Sequence, residues 1–209
     1  MPGPPPRAIL FVDGNNWYHG LKKIGVDAYA LDYPRVAQKL LMGRTLGEIR
    51  FYIGRVTGDR DRIAKQAVKL AALEAQGIRI TYGRIQRNPI PPDRNPALVR
   101  LRRILEDNNH RLPADLLRDL DALSSLSIMD YVEKQVDVAI AVDLVRMAFT
   151  DQYDVAYLLS ADADYVSAVQ EVQRRGKRVI AAKAHSERSD ALGKVIPVIP
   201  LDAEWFAGL

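Results

Sequence analysis

Apolar positions along this chain follow two rhythms. Ala8-Ile-Leu-Phe-Val12 and Val155-Ala-Tyr-Leu-Leu159 are unbroken apolar runs, the pattern of strands covered on both faces of a parallel sheet. Between such runs, apolar residues recur every three or four positions, as on one side of a helix. The pattern predicts a strand over 7–12, then a short helix carrying Trp17 and Leu21 with Asn15 or Asn16 as its cap. A helix follows Pro34, with Val36, Ala37, Leu40 and Leu41 on one face and Gly43 at its end. A second strand covers 49–56. A helix over 60–76 places Ile63, Ala67, Leu70, Ala71 and Glu74 together, and Gly77 stops it before a third strand at 78–82.

Residues 83–134 break this rhythm. Pro89, Pro91, Pro92 and Pro96 oppose regular structure, and two short amphipathic helices are predicted at 96–107 and 113–123. About 50 residues hold a poor core alone, so the segment reads as an insertion or lid. The rhythm then returns. A helix over 135–149 turns Val138, Ala141, Leu144, Val145 and Ala148 inward. A strand at 155–159 leads to a helix over 164–175 with Tyr165, Val166, Val169 and Val172 inside. A strand at 177–182 and an edge strand at 195–199, where Pro197 is tolerated, complete the chain. Strands alternating with helices imply right-handed crossovers and an α/β fold with a mostly parallel sheet.

Composition narrows the chemistry. In 209 residues there is no Cys, which excludes disulfides, zinc–thiolate sites and cysteine nucleophiles. His19, His110 and His185 are scattered. No run approaches the roughly 18 apolar residues of a membrane span, and the Pro-rich residues 1–6 read as a disordered tail rather than a signal peptide. A cytoplasmic protein with one domain over 7–209 is expected. The net charge of +4 is modest. Its distribution is more telling, because Arg79, Arg84, Arg87, Arg94, Arg100, Arg102 and Arg103 crowd one quarter of the chain. Arg suits phosphate recognition, while a solvated face is the plain alternative.

The candidate chemistry lies in four carboxylates at strand ends or helix starts: Asp13, Asp137, Asp162 and Asp164. Ligands of open α/β sheets bind beyond the carboxyl ends of the strands. An unpaired carboxylate beside a core is costly; a hard divalent cation with a phosphate ligand offsets that cost and suits oxygen-only donors. Each acid also has a plainer explanation. Asp164 and Asp137 suit helix N-termini, and Asp13-Gly14 is a turn dipeptide. Asp162 is harder to explain so, since Ser160-Ala-Asp-Ala-Asp164 spaces two carboxylates by two after a buried strand. Asn16 suits either a phosphate contact or orientation of Asp13, and Ser160 and Asn15 suit bridging to the Asp side chains. Asp143 lies about 120° round the helix from Asp137, with Arg146 as its natural ion-pair partner.

The strings Phe11-Val-Asp-Gly-Asn-Asn16, Lys134-Gln-Val-Asp-Val-Ala-Ile-Ala-Val-Asp143 and Leu159-Ser-Ala-Asp-Ala-Asp-Tyr165 resemble, in this order, three signatures of the NYN domain family. That family belongs to the PIN-like nuclease superfamily and includes LabA-like bacterial proteins. The resemblance spans about 7–183 and implies a Rossmann-like (PIN-like) sheet flanked by helices, with a helical insertion. It puts Asp13, Asp137, Asp162 and Asp164 on acidic metal-binding positions, and Asn16, Asp143 and Ser160 on supporting ones. Ala163 and Tyr165 depart from the Gly and Phe usual in the third signature. The implied activity is Mg²⁺- or Mn²⁺-dependent cleavage of RNA, less often DNA, by a two-metal mechanism. Arg84, Arg87, Arg100, Arg102 and Arg103 are the expected backbone contacts, and Trp17, Tyr18 and Tyr82 would stack bases if exposed. A homodimer, common among such domains, would extend a basic groove. The alternatives are a non-cutting RNA-binding or regulatory module of the same fold, and a haloacid-dehalogenase-type phosphatase. The latter needs a second Asp where Asn15 stands.

Overall fold

The computed structural model describes residues 3–57, 59–108, 113–124, 128–160, 162–184 and 190–209. For 84–90, 92, 120–121, 123–124, 128–134 and 190 the description is of the backbone alone. Met1 and Pro2 of the expected tail, and His110 and His185, lie outside the described residues. The elements in chain order are β1 (Arg7–Asp13), α1 (Gly14–Lys23), α2 (Tyr33–Leu41), β2 (Thr45–Gly54), α3 (Arg60–Glu74) and β3 (Arg79–Ile90). Next come α4 (Pro96–Asn108), α5 (Ala114–Ser124), β4 (Ile128–Lys134), α6 (Val136–Phe149) and β5 (Val155–Leu159). The chain ends with α7 (Val166–Arg174), β6 (Arg178–Ala184), α8 (Asp190–Gly193) and β7 (Val198–Leu201). Two compact units result, 1–84 with 134–209, and 85–133.

The first unit is an α/β fold. Its strands β3, β2, β1, β5, β6 and β7 lie side by side in that order, all parallel. Growth of the sheet reverses between β1 and β5, the topological switch point at which such sheets bind ligands. The unbroken apolar runs follow from burial on both sides. Ala8, Leu10 and Val12 pack with Trp17, Leu21, Leu40 and Leu73 on the α1–α2–α3 face. Ile9 and Phe11 pack with Ile140, Leu144, Tyr165 and Val169 on the α6–α7 face. By the same alternation, Asp13 turns towards the α6–α7 face. Ser160, two residues beyond Leu158 of that face, turns the same way.

The second unit holds the distal residues of β3, a 3₁₀ turn over Pro92–Arg94, the packed pair α4 and α5, and β4. Its two helices fall where the apolar spacing predicts them. The strands do not. β3 runs on through Pro89, and β4 stands where no strand is expected. In the strand order β4 neighbours β3, a margin where the missing N–H of a proline is tolerated.

Other expectations need correction. Asp13 caps α1, its carboxylate accepting from the Asn16 backbone N–H, so neither Asn15 nor Asn16 is the cap. β2 spans 45–54 rather than 49–56, and β7 spans 198–201 rather than 195–199. Helix α3 buries Leu70 and Leu73, while Ile63, Ala67, Ala71 and Glu74 are exposed. Helix α6 faces inward through Val136, Ile140, Leu144, Met147 and Ala148, and Val138 is exposed. Among the described residues no helix is long and apolar enough to cross a membrane.

Candidate functional site

Strand β1 delivers Asp13 to the switch point, and Gly14 lets the chain turn there. A Cβ on Gly14 would stand 2.5 Å from the Phe51 ring and 2.7 Å from the Tyr52 carbonyl oxygen, so only glycine permits β2 to pass this close. The Asp13 carboxylate is 4 % exposed and is held by three protein donors. Its Oδ1 accepts from the Asn16 N–H at 3.1 Å. Its Oδ2 accepts from the Ser160 hydroxyl at 3.1 Å and lies 3.0 Å from the Tyr165 hydroxyl. Ser160 arrives because β5 pairs with β1 and ends one residue earlier, Val12 standing opposite Leu159.

Tyr165 supplies the second link. Its hydroxyl is also 2.9 Å from Asp137 Oδ1, which keeps the two carboxylate oxygens within about 6 Å of each other, twice a hydrogen-bond length. A phenol has one proton to donate, so two acids share one donor. Burial pushes the Asp13 carboxyl up from its ordinary range; the hydrogen bonds from Asn16, Tyr165 and Ser160 work against that rise, and the charge of Asp137 adds to it. Burial, then the charges of Asp13 and Asp137, drive the Tyr165 hydroxyl well above the usual phenol range, so it remains a donor.

The other two acids lie on the turn that follows β5. Asp162 caps the 3₁₀ turn Ala163–Tyr165, accepting from the Asp164 N–H at 3.0 Å, and its own N–H donates to Ser160 at 3.2 Å. Asp164 is exposed. Asp13 and Asp137 are thus joined through one hydroxyl, with Asp162 and Asp164 next to the residue that joins them. Among the described residues, no three His, Cys, Asp or Glu side chains stand at metal-holding spacing. The donors present are all hard oxygens, as Mg²⁺ or Mn²⁺ prefers. Asp13 Oδ1 accepts from the Asn16 N–H and retains acceptor capacity; Asp137 is exposed. Mg²⁺ commonly takes one or two carboxylates and completes its shell with water and phosphate. The pair fits one such ion in that manner.

Asp143 does different work. It accepts from Arg146 at 2.7 Å, from Tyr52 at 2.8 Å and from Arg50. Arg50 is buried and also meets Glu48 at 2.6 Å. Burial opposes the Arg50 charge, but the hydrogen bonds to Tyr52 and Glu48 and the charge of Asp143 more than offset it. Alternation along β2 explains the meeting: Arg50 and Tyr52 share the face that α6 covers. The network fixes the helix that carries Asp137.

Of the expected nucleic-acid contacts, Arg100 and Arg103 are exposed on α4 and Arg102 is half-buried there. The side chains of Arg84 and Arg87 lie outside the described residues. Trp17 is core, 1 % exposed, and cannot stack bases; Tyr82 is 42 % exposed. The residue that sequence reasoning missed is Tyr165. Helical spacing marks its ring as core, which it is, but its hydroxyl is the bridge. The signal was its place one residue after Asp164, opening a helix beside the acids.

A family model described as NYN domain matches residues 7–197. No curated protein matches the chain. Among solved structures, a crystal structure of a protein of unknown function from Vibrio parahaemolyticus is similar, with a TM-score of 0.53, 15 % identity and 98 % of each chain covered. At that identity the likeness speaks for the fold alone, the α/β fold with its parallel sheet described above. With its model matched from β1 to the approach to β7, this chain belongs to the NYN domain family.

Proposed function

We propose that the protein is a divalent-metal-dependent nuclease that hydrolyses phosphodiester bonds in RNA, and secondarily in single-stranded DNA. The observation that carries this reading is the Asp13–Tyr165–Asp137 bridge at the switch point of the sheet. Asp13 and Asp137 would hold Mg²⁺ or Mn²⁺, and a second ion would draw on Asp162 and Asp164. Such ions, when bound, lower the pKa of a bound water and stabilise charge on the attacking and leaving oxygens. The chain's own groups position the acids. The Asn16 N–H and the Ser160 hydroxyl orient Asp13, and the Tyr165 hydroxyl keeps Asp13 and Asp137 together. The Arg50–Asp143 contact anchors α6 behind Asp137.

Arg100, Arg102 and Arg103 on α4, with Arg84 and Arg87, are the proposed contacts to the RNA backbone, and 83–134 the proposed insertion or lid of a single domain. A cytoplasmic location and a homodimer complete the reading. A non-cutting RNA-binding or regulatory module is the second reading. It is favoured by one observation: the Asp13 carboxylate accepts from three protein donors.

Purified protein incubated with labelled single-stranded and structured RNA separates the two. The nuclease cuts with Mn²⁺ or Mg²⁺, stops with EDTA, and stops in Asp13→Asn and Asp137→Asn. Cutting that persists in both variants removes these acids from the mechanism. Metal-independent binding without cutting selects the module.

A further inference from the structure

The end of β2 and the start of α3 carry a cationic surface that the acid site leaves unexplained. Arg55 follows β2, and Arg60, Arg62 and Lys65 lie on the first half of α3; all four are exposed. Lys69 extends the series one turn further along α3. None of Arg55, Arg60, Arg62 and Lys65 forms an ion pair with a described residue. Asp59 and Asp61 are the acids of this stretch, fewer than its cations, and Asp59 caps α3 through the N–H groups of Asp61 and Arg62, at 2.9 and 3.1 Å. Ile63 and Val68 are exposed among these cations.

Arg55 is held in place. Gln66 of α3 donates to the Gly54 carbonyl and accepts from the Val56 N–H, each at 2.8 Å, clamping the backbone on either side of Arg55. The Arg55 guanidinium then lies 4.5 Å from the centroid of the Tyr82 ring, and that ring is 42 % exposed. A half-open aromatic ring beside an exposed guanidinium offers a π-system and a cation to one nucleotide. Register gives its distance from the acids. Asp13 stands opposite Tyr52 on β2, and Ile53 stands opposite Tyr82 on β3, so the backbone of Tyr82 lies two strand spacings, about 10 Å, across the sheet from that of Asp13. The Tyr82 ring is on the α1–α2–α3 face with Ile53, and Asp13 is on the α6–α7 face with Tyr52.

We propose that Tyr82 and Arg55, with Arg60, Arg62 and Lys65 of α3, form a subsite for a single-stranded nucleic acid running across the strand ends from the acid pair. Tyr82 stacks a base, and the cations take the adjoining phosphates. The inference rests on the nuclease reading but concerns binding, which can be measured without cutting. The probe is a fluorescein-labelled oligouridylate of about 12 nucleotides, within the span of single-strand sites. Its anisotropy is followed in EDTA over a range of KCl, with the full chain and its surface variants.

Arg62→Gln with Lys65→Gln should weaken binding about tenfold at low salt and flatten the log–log salt slope by about 1.4, two phosphates at roughly 0.7 each. Tyr82→Leu should weaken it about tenfold with the slope unchanged, and Tyr82→Phe should bind as wild type, since stacking needs only the ring. Wild-type affinity and slope in both Tyr82→Leu and the double variant would overturn the subsite, as would absence of binding by the parent chain. Metal-dependent cutting with unaltered binding in the variants sinks the subsite and leaves the nuclease standing. The predicted binding pattern without any cutting does the reverse.

Discussion

The two ends of the parallel sheet treat their carboxylates in opposite ways. At the amino-terminal end, Asp151 and Asp154 are neutralised by cations. Arg7 reaches both, at 3.1 and 3.2 Å, and Lys177 does the same at 2.5 and 3.1 Å. At the carboxyl-terminal end, Asp13 and Asp137 are held by hydroxyls and a backbone N–H. Among the described residues, no Lys or Arg pairs with either. Hydrogen bonds fix a carboxylate without cancelling its charge, whereas an ion pair does both. The first end is built for stability, and the second keeps net negative charge at the point where a parallel sheet binds its ligand.

Exchanging charge at each end breaks or sharpens this contrast. The largest effect belongs to Asp137→Asn, which should slow metal-dependent cutting about a thousandfold or more, as several kcal/mol of charge stabilisation implies. Asp13→Asn should do the same while leaving the thermal midpoint equal to wild type or higher. The reason is the sign of linkage. Burial raises the Asp13 carboxyl, so its ionisation opposes folding, and that burden appears as pH rises through the raised value. Thermal melts of wild type and Asp13→Asn should therefore diverge on going from acid to neutral pH, with the variant the more stable.

Gly14→Ala should destabilise by about 1–3 kcal/mol, the range for overpacking, because its Cβ meets backbone as well as a ring. Denaturant titration measures this. Tyr165→Phe should keep the ring packing and lose about 1–2 kcal/mol, with weaker Mn²⁺ binding once the two acids lose their common tether.

Asp154→Asn is the smallest. It should lower stability by about 1 kcal/mol at neutral pH, discounted for solvent screening. Hydrogen bonds from the Arg7 side chain and backbone hold the Asp154 carboxyl below its ordinary range. Its contribution is present at neutral pH and disappears as pH falls through that lowered value. Melts of wild type and Asp154→Asn should converge in strong acid, the reverse of the Asp13 pair.

Much of this was legible in the sequence, and the parts that were not share a cause. β1 and β5 announce themselves because burial on both faces demands unbroken apolar runs. Asp13 and Ser160 follow from where those runs stop, and alternation then sends both to one face. α4 and α5 emerge from apolar spacing alone. Arg50 was hidden, because a buried cation in a strand makes sense only once Glu48, Tyr52 and Asp143 are placed around it. α3 was misread because a helix that buries only Leu70 and Leu73 leaves Ile63 to solvent. Val138 was misread because the buried stripe of α6 runs through Val136, Ile140, Leu144 and Met147 and leaves Val138 to solvent. β4 and the distal part of β3 were missed because Pro89 in β3 and the charges Asp130, Glu133 and Lys134 in β4 argue against strands, and pairing between segments distant in sequence leaves no local periodicity. Tyr165 shows the limit most clearly, since one side chain packs its ring in the core and bridges two acids with its hydroxyl.

The most direct test of the contrast between the two ends is a calorimetric titration of Mn²⁺ into wild type, Asp13→Asn and Asp154→Asn. The account predicts binding to wild type, undiminished binding to Asp154→Asn, and at least a tenfold loss in Asp13→Asn. Equal binding by wild type and Asp13→Asn, or a loss confined to Asp154→Asn, would contradict it.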